Sequence, residues 1–324
     1  MTESTRALGL SVAEGPHWRD GSSLCRTQLL WCLALLPAAV ASVVWFGWPA
    51  LRVMSLAVGT GLAMDALSNR MLGGRDAVTN GSSVSLSLML AFLLPVNAPW
   101  WLVVVGVALT IVIGKKLYGG WGGYPVHPVA LGYAMLAVSW PARLDRTASL
   151  VQKLWDAAPI EPMRLVKTQG ALAEASYALQ DLLLGKQVAS VGNGMVLWLA
   201  LGGLFLVLVR VVPWQIPFGA VLGILGGSVV AAWMTPGSAA SPLFHLLSGS
   251  AVFMAFFLLG DSTTSPVNPW PMLIYGLLAG LLLVLIRTFS IHPESAVFAV
   301  LLVNLCHPLL DRITAQPKGV VNHG

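Results

Sequence analysis

Long apolar runs separated by short polar turns cover most of the chain, and apolar residues within each run are continuous instead of alternating with polar ones. A run of about 20 apolar residues can cross the ~30 Å hydrocarbon core of a bilayer as an α-helix, whereas a β-barrel needs short alternating strands. The pattern therefore predicts an all-α, polytopic membrane protein. The ten predicted spans are 28–47, 49–66, 82–96, 99–116, 125–141, 193–211, 214–234, 243–260, 270–287 and 293–311.

The two halves of the chain repeat the same order of features. The stretch that begins Gly81-Ser-Ser-Val returns as Gly249-Ser-Ala-Val, 168 residues later. A proline-tryptophan pair follows each copy, at Pro99-Trp100 and at Pro269-Trp270. Because each half holds an odd number of spans, the second half enters the membrane from the opposite side. The sequence thus predicts two inverted five-helix repeats.

Basic residues predict the orientation, because short cytoplasmic loops of membrane proteins are rich in Lys and Arg. The short segments that hold Arg70, Lys115 and Arg210 are placed inside, and the outer turns near Asn97 and Gly237 carry neither residue type. The predicted parts are a cytoplasmic tail (1–26), a first repeat (27–141), an outer, periplasmic loop (142–191), a second repeat (192–312) and a cytoplasmic tail (313–324). In the outer loop, apolar residues at helical spacing predict a surface helix over Gly170–Leu184.

Composition agrees with a membrane protein and excludes several other classes. Of 324 residues, 56% are hydrophobic and 10% are charged, and the mean hydropathy is +0.79. The net charge of +5 is explained by the Lys and Arg residues expected in cytoplasmic loops, and it gives no reason to propose nucleic-acid binding. The three cysteines match no zinc or iron–sulfur spacing, so no metal site is predicted, and no nucleotide-binding or nucleophile motif occurs in the sequence.

Three polar stretches, residues 80–85, 115–128 and 260–269, interrupt the apolar sequence. Their glycines and prolines free backbone groups, and their hydroxyls and amides supply donors that suit phosphate, a flavin edge or an ion. The same residue types also form ordinary caps and helix contacts, so the residues alone leave both interpretations open. Asp261 is the strongest ionisable candidate, since an acidic side chain at the mouth of a span is costly unless it is paired or used.

Other ionisable residues fall at the predicted ends of spans. Asp65, Arg287, Glu294 and Asp311 are expected to be hydrated at the membrane interface, and His127 is expected to have a structural role.

Several stretches match one family of membrane proteins. They are Asn80 to Trp101, Lys116 to Pro128, Asp181 to Gly185, Asp261 to Pro266 and Tyr275 to Arg312. In them the sequence resembles the D subunit of the Rnf ion-translocating electron-transport complex. That family is related to the B subunit of the sodium-pumping NADH:quinone oxidoreductase. The resemblance covers nearly the whole chain beyond the N-terminal tail.

The resemblance implies a flavoprotein subunit of a redox-driven pump in the bacterial inner membrane. Such a subunit couples electron transfer, on the ferredoxin or NADH side, to translocation of Na⁺ or H⁺. It would be one part of a translocase and not catalytically complete alone. The implied partners are the lipid bilayer and other Rnf-type subunits, including those with iron–sulfur centres and flavins.

Family members carry flavin mononucleotide (FMN) on a threonine of a Ser/Thr-Gly-Ala-Thr-like stretch. The matching residues here are Gln169-Gly170-Ala171-Leu172, and leucine has no hydroxyl with which to form the phosphoester. Non-covalent FMN is therefore expected, with Thr168 as a less favoured, shifted acceptor and riboflavin as a second candidate flavin.

The predicted site residues form two sets. Asn80, Ser82, Ser83, Asp261, Thr263 and Thr264 are expected near a flavin or the coupling path, and Thr168, Gly170 and Leu172 mark the attachment position. Two rivals are a transporter or channel without a redox role, since inverted repeats are a transporter design, and a flavin-free scaffold subunit of the same complex.

Overall fold

The computed structural model describes residues 23–72, 80–145, 161–170, 174, 176–235, 240–290 and 294–313. These ranges hold helices and no strand. The α-helices are α1 (Leu24–Phe46), α2 (Trp48–Leu72), α3 (Ser82–Leu93), α4 (Trp100–Ala108), α5 (Pro128–Ser139), α6 (Pro162–Gln169), α7 (Leu179–Leu184), α8 (Val196–Leu208), α9 (Gln215–Met234), α10 (Pro242–Leu247), α11 (Ala251–Phe253), α12 (Pro269–Phe289) and α13 (Ser295–Ile313).

Among the described residues, six helical segments are long and apolar enough to cross a membrane. They are Leu24–Phe46, Trp48–Met71, Trp100–Tyr118, Gln215–Met234, Pro269–Phe289 and Ser295–Ile313. Helices α3, α5 and α8 are apolar but shorter. The prediction of an all-α chain is confirmed for the described residues, and the apolar helices agree with a multi-pass membrane protein.

Helix α1 shows how these helices divide between a protein-facing and a lipid-facing side. Small and apolar residues such as Ala34, Leu35 and Ala38 are buried against the bundle. The opposite stripe is also apolar, yet it is exposed at Leu29, Leu33, Leu36, Val40 and Val44. An apolar face on both sides is stable only where the outer one contacts lipid.

Two helices depart from regular α geometry. Helix α4 continues as a π-helical segment (Leu109–Lys115) and a 3-10 turn (Lys116–Tyr118). The predicted span 243–260 is divided into α10 and α11 by Ser248–Ser250, and α11 continues as a second π-helical segment (Met254–Leu258). A π turn holds one residue more than an α turn, and π turns often occur at functional sites. The residues that end both segments are therefore candidates for a functional site.

An irregular segment is also buried in the bundle. Residues 187–196 are all buried, although most of them precede α8 and lie outside any helix. The amide of Val191 bonds to the carbonyl of Leu94, and the amides of Gly192 and Asn193 bond to the carbonyl of Phe92. The segment thus satisfies the carbonyls at the end of α3, which is the condition under which non-helical backbone is tolerated at membrane depth.

The described residues of the outer loop are only partly helical. Among the described residues of the predicted surface helix over Gly170–Leu184, α7 is the α-helical part, and Gly170 instead terminates α6 with a positive φ of 65°. Both short helices rest on a small apolar cluster that includes Leu165, Tyr177 and Phe244. The loop is therefore attached to α10 at the end of the bundle.

Helices α9 and α12 pack backbone to backbone through glycines. A Cβ at Gly223 would lie 2.9 Å from the carbonyl carbon of Leu277, and one at Gly276 would lie 2.9 Å from the amide nitrogen of Ala220. Real Cβ atoms essentially never come this close. Within a membrane the hydrophobic effect does not drive helices together. Close packing through small residues at the helix contacts is the usual alternative.

Gly223→Ala should separate α9 from α12 and destabilise the protein by about 1–3 kcal/mol, because the methyl group overlaps the backbone of Leu277. The matched control is Gly226→Ala on the same helix, where a Cβ meets nothing within 4 Å. Thermal unfolding midpoints in one detergent compare the two variants. Equal midpoints would contradict the packing described here.

Candidate functional site

A buried cluster of charged and polar side chains joins α2, α3 and the end of α4. The Lys115 Nζ donates to the Ser82 Oγ at 2.7 Å, the Ser83 Oγ at 3.2 Å and the Asp65 Oδ1 at 3.3 Å. The Lys116 Nζ lies 2.9 Å from the same Asp65 oxygen. It also donates to the Asn69 Oδ1 at 2.6 Å. Five of these residues, Asp65, Ser82, Ser83, Lys115 and Lys116, are no more than 8% exposed; we call the six together the lysine cluster.

Local backbone features bring the lysine cluster together. Gly81, with a φ of 73°, starts α3 at the two serines. A Cβ at Gly61, one turn before Asp65, would lie 3.1 Å from the carbonyl oxygen of Ser83, so α2 and α3 are in close contact here. At Gly114 a Cβ would lie 2.9 Å from the Cα of Pro128. The π-helical segment therefore reaches Lys115 while pressed against the start of α5.

A second polar cluster surrounds Asp261, just before α12. The Tyr124 hydroxyl donates to the Asp261 Oδ2 at 2.8 Å, and the Thr263 amide donates to the Oδ1 at 3.1 Å. Burial, reinforced by the Asp261 carboxylate, raises the pKa of Tyr124 well above its usual range. Burial lowers the pKa of His127, and Asp261 opposes this shift. Both side chains are therefore uncharged near neutral pH.

A cavity of about 240 Å³ lies next to Asp261. Its lining residues include Gly260, Ser262, Trp31 and Trp121. The cavity therefore combines aromatic surfaces with polar groups at the mouth of the bundle.

A third cluster lies at the opposite end of α12, about 30 Å away by the rise of a 21-residue helix. The Arg287 guanidinium donates to the carbonyls of His245 and Ser248, which end α10. The Glu294 carboxylate accepts from the Asn193 amide at 2.7 Å and from the Ser250 hydroxyl at 2.6 Å. Arg287 and Glu294 thereby stabilise the break between α10 and α11.

Several expectations for ionisable residues were wrong. Asp65, Arg287 and Glu294 were expected at hydrated interfaces, yet they are 1%, 4% and 1% exposed. Their buried partners remove the need for water. Asp311 remains partly exposed, where it pairs with His307 at 2.8 Å and accepts from the Val267 amide.

The predicted site residues divide between the two ends of the bundle. Ser82 and Ser83 belong to the lysine cluster, and Asn80 precedes α3. Asp261 and Thr263 belong to the second cluster, and the adjacent Thr264 is fully buried. Thr168 ends α6, where its hydroxyl donates to the carbonyl of Leu165 at 3.0 Å, and Gly170 follows. The neighbouring Lys167 donates to the carbonyl of Ser290, at the far end of α12. Leu172 lies outside the described residues.

Sequence reasoning missed the roles of Lys115, Lys116, Tyr124, Gln187 and Asn193. The lysines fall in the predicted polar stretch 115–128, but neither was assigned a role beyond orienting the chain. The signal that could have found Lys115 is its position between an apolar run and the Gly-rich turn, together with the lone carboxylate of Asp65 in the preceding apolar sequence.

The fold and these clusters define a multi-pass helical membrane protein with charges held inside the bundle. The chain belongs to the NQR2, RnfD, RnfE family, whose model matches residues 11–319. Among its relatives are proteins named as the D subunit of an ion-translocating oxidoreductase complex. The one from Alcanivorax borkumensis is 35% identical and covers 96% of both chains. Those from Mannheimia succiniciproducens and Aeromonas hydrophila are 31% and 32% identical, over 94% and 95% of this chain.

Asp65→Asn should destabilise the protein by about 3–5 kcal/mol, because two buried ammonium groups lose the carboxylate that both contact. The matched control is Asp145→Asn, whose ion pair with Arg164 is largely solvated, so that less than about 1 kcal/mol is expected. Denaturation midpoints of the two purified variants decide the matter. A small and equal effect in both would contradict a tightly coupled lysine cluster.

His127 should make the protein less stable in acid. Its folded pKa lies below the ordinary value of 6.5, so the unfolded chain binds a proton first as the pH falls. Below pH 6.5 the free energy of unfolding should then fall by up to about 1.4 kcal/mol per pH unit. Thermal midpoints across this range should decline less in His127→Gln than in the wild type. A decline that is unchanged in His127→Gln would refute the assignment.

Proposed function

We propose that the chain is an integral membrane subunit of an Rnf-type complex that couples electron transfer to translocation of Na⁺ or H⁺. The observation that carries this proposal is the nearly end-to-end similarity to the D subunits of ion-translocating oxidoreductase complexes. Charged clusters buried in the bundle support it further, because ionisable groups at membrane depth are costly and usually serve ion or proton movement. The other subunits of such a complex are the proposed partners.

Inverted repeats are part of the proposal, and matching backbone features support them. Gly81 and Gly249 both have a positive φ and both precede serine at the start of a shorter helix. Trp100 and Pro269 begin α4 and α12 at the two proline-tryptophan pairs. In the proposed topology the α10–α11 pair counts as one interrupted span. Together with the six long and three shorter apolar helices of the described residues, it would make ten membrane passages, five in each half.

A non-covalent flavin is the second part of the proposal. Outside the membrane, Gly170 provides a turn that needs no side chain, and Lys167 attaches α6 to the carbonyl of Ser290. FMN is proposed at this end because the resemblance places its attachment stretch here, and Leu172 precludes the phosphoester. Along α6, the hydroxyl nearest in sequence to Leu172 is that of Thr168, which is the shifted acceptor that a covalent link would need.

The cavity beside Asp261 is a candidate place for a flavin at the other end of the bundle. Tryptophan rings can stack on an isoalloxazine, and the polar groups of Ser262 and its neighbours can bond to the edge of the ring. Since about 30 Å of α12 separates this cavity from Thr168, one flavin cannot contact both groups of predicted residues. Two separate sites could relay electrons between neighbouring subunits.

The test is the flavin content of the complex purified from the native host, measured before and after acid precipitation. We expect flavin in the supernatant and a non-fluorescent band for this chain in a denaturing gel. A fluorescent band would overturn the non-covalent assignment, and Thr168→Ala would then locate the link. Flavin bound by the other subunits is accounted for by a matched preparation that lacks this chain. If the two preparations hold equal flavin, the chain is a scaffold.

A further inference from the structure

The ammonium of Lys115 occupies a cage of oxygen atoms. Its contacts include the hydroxyl oxygens of Ser82 and Ser83 and one carboxylate oxygen of Asp65, from two helices. The shortest contact, 2.7 Å, is with a neutral hydroxyl and not with the carboxylate. Carboxylate and hydroxyl oxygens are the ligands that hard metal cations prefer.

Pairing with Asp65 does not by itself explain Lys115. The Lys116 ammonium already lies 2.9 Å from the Asp65 Oδ1, closer than the 3.3 Å of Lys115. Ser82 and Ser83 also begin α3, and the partial positive charge of a helix N-terminus disfavours a second cation there. Lys115 is 1% exposed. Burying an ammonium group at this position therefore costs free energy, both through desolvation and through repulsion by the helix dipole.

The matching turn in the other half of the chain shows the ordinary arrangement. Ser250, which corresponds to Ser82, donates its hydroxyl to the carboxylate of Glu294. An anion at a helix start agrees with the helix dipole. The two turns share the left-handed glycine and the serine, but the serine hydroxyl of the second turn bonds to a carboxylate, whereas that of the first turn bonds to an ammonium group. The cation at Ser82 is thus a specific feature of the lysine cluster.

We propose that the Ser82, Ser83 and Asp65 oxygens form a site for a small monovalent cation of the Na⁺ class, and that Lys115 fills it with a tethered ammonium. In the wild type the site then needs no dissolved cation. Without the Lys115 side chain, a bound Na⁺ would restore the same charge beside the same three oxygens. This inference stands on the contacts of the lysine cluster and does not depend on a bound flavin or on which ion the complex translocates.

The test compares purified full-length variants in NaCl and in choline chloride at equal ionic strength. Lys115→Ala should melt lower than the wild type in choline, and Na⁺ should raise its midpoint in a saturable way by about 3 °C or more. The wild type should show no difference between the two salts. Lys116→Ala is the matched control: it keeps the Lys115 ammonium in the cage and should also show no Na⁺-specific shift.

A direct binding measurement completes the test. Radioactive ²²Na⁺ should bind to Lys115→Ala but not to the wild type, and Lys115→Ala combined with Ser82→Ala and Ser83→Ala should lose that binding. Absence of Na⁺-specific stabilisation and binding in Lys115→Ala would overturn the proposal. Failure to recover Lys115→Ala in Na⁺ throughout extraction would also overturn it, because the site should be filled under those conditions. Flavin content is a separate readout, so failure here leaves the proposed function intact.

Discussion

Backbone polar groups inside this bundle depend on partners within the protein, because lipid offers none. An unpaired backbone group at membrane depth costs several kcal/mol, and the structure meets this condition most visibly where helices are interrupted. At the break between α10 and α11, Arg287 bonds to the last carbonyls of one helix, and Glu294 bonds to the first hydroxyl of the next. The buried ions are thus tied directly to the interruptions in the helices.

The same condition explains the segment that precedes α8. The Gln187 side chain donates to the carbonyls of Gly194 and Leu247 and accepts from the amide of Gly249. Asn193 joins this segment to Glu294. An irregular stretch can lie between the end of α3 and the start of α11 because its own amides and two side-chain amides replace the missing helical bonds. The two shorter helices are consequently connected to each other through the outer loop.

Sequence patterns predicted the elements better than the site. Continuous apolar runs identified the spanning helices, and the two Gly-Ser turns coincide with two helix starts. Hydropathy could not show that Asp65 is buried, because its partner Lys115 is 50 residues away and belongs to another helix. It also could not find Gln187 or Asn193, whose partners lie 60 and 101 residues away. Periodicity reports which face of a helix is apolar, whereas burial of a charge depends on long-range pairing.

A local feature nevertheless accompanies the buried charges. Gly61 precedes Asp65 by one turn, Gly114 precedes Lys115, and Gly260 precedes Asp261. A Cβ at each would crowd a neighbouring element: Ser83 for the first, Pro128 for the second and Val212 for the third. Close approach of the backbone shortens the span that a charged side chain must bridge, and it excludes lipid and bulk water from the pair. Each of these three charged residues thus follows a glycine that lets the backbone approach a neighbouring element, so the close helix contacts and the buried charges occur at the same places in the bundle.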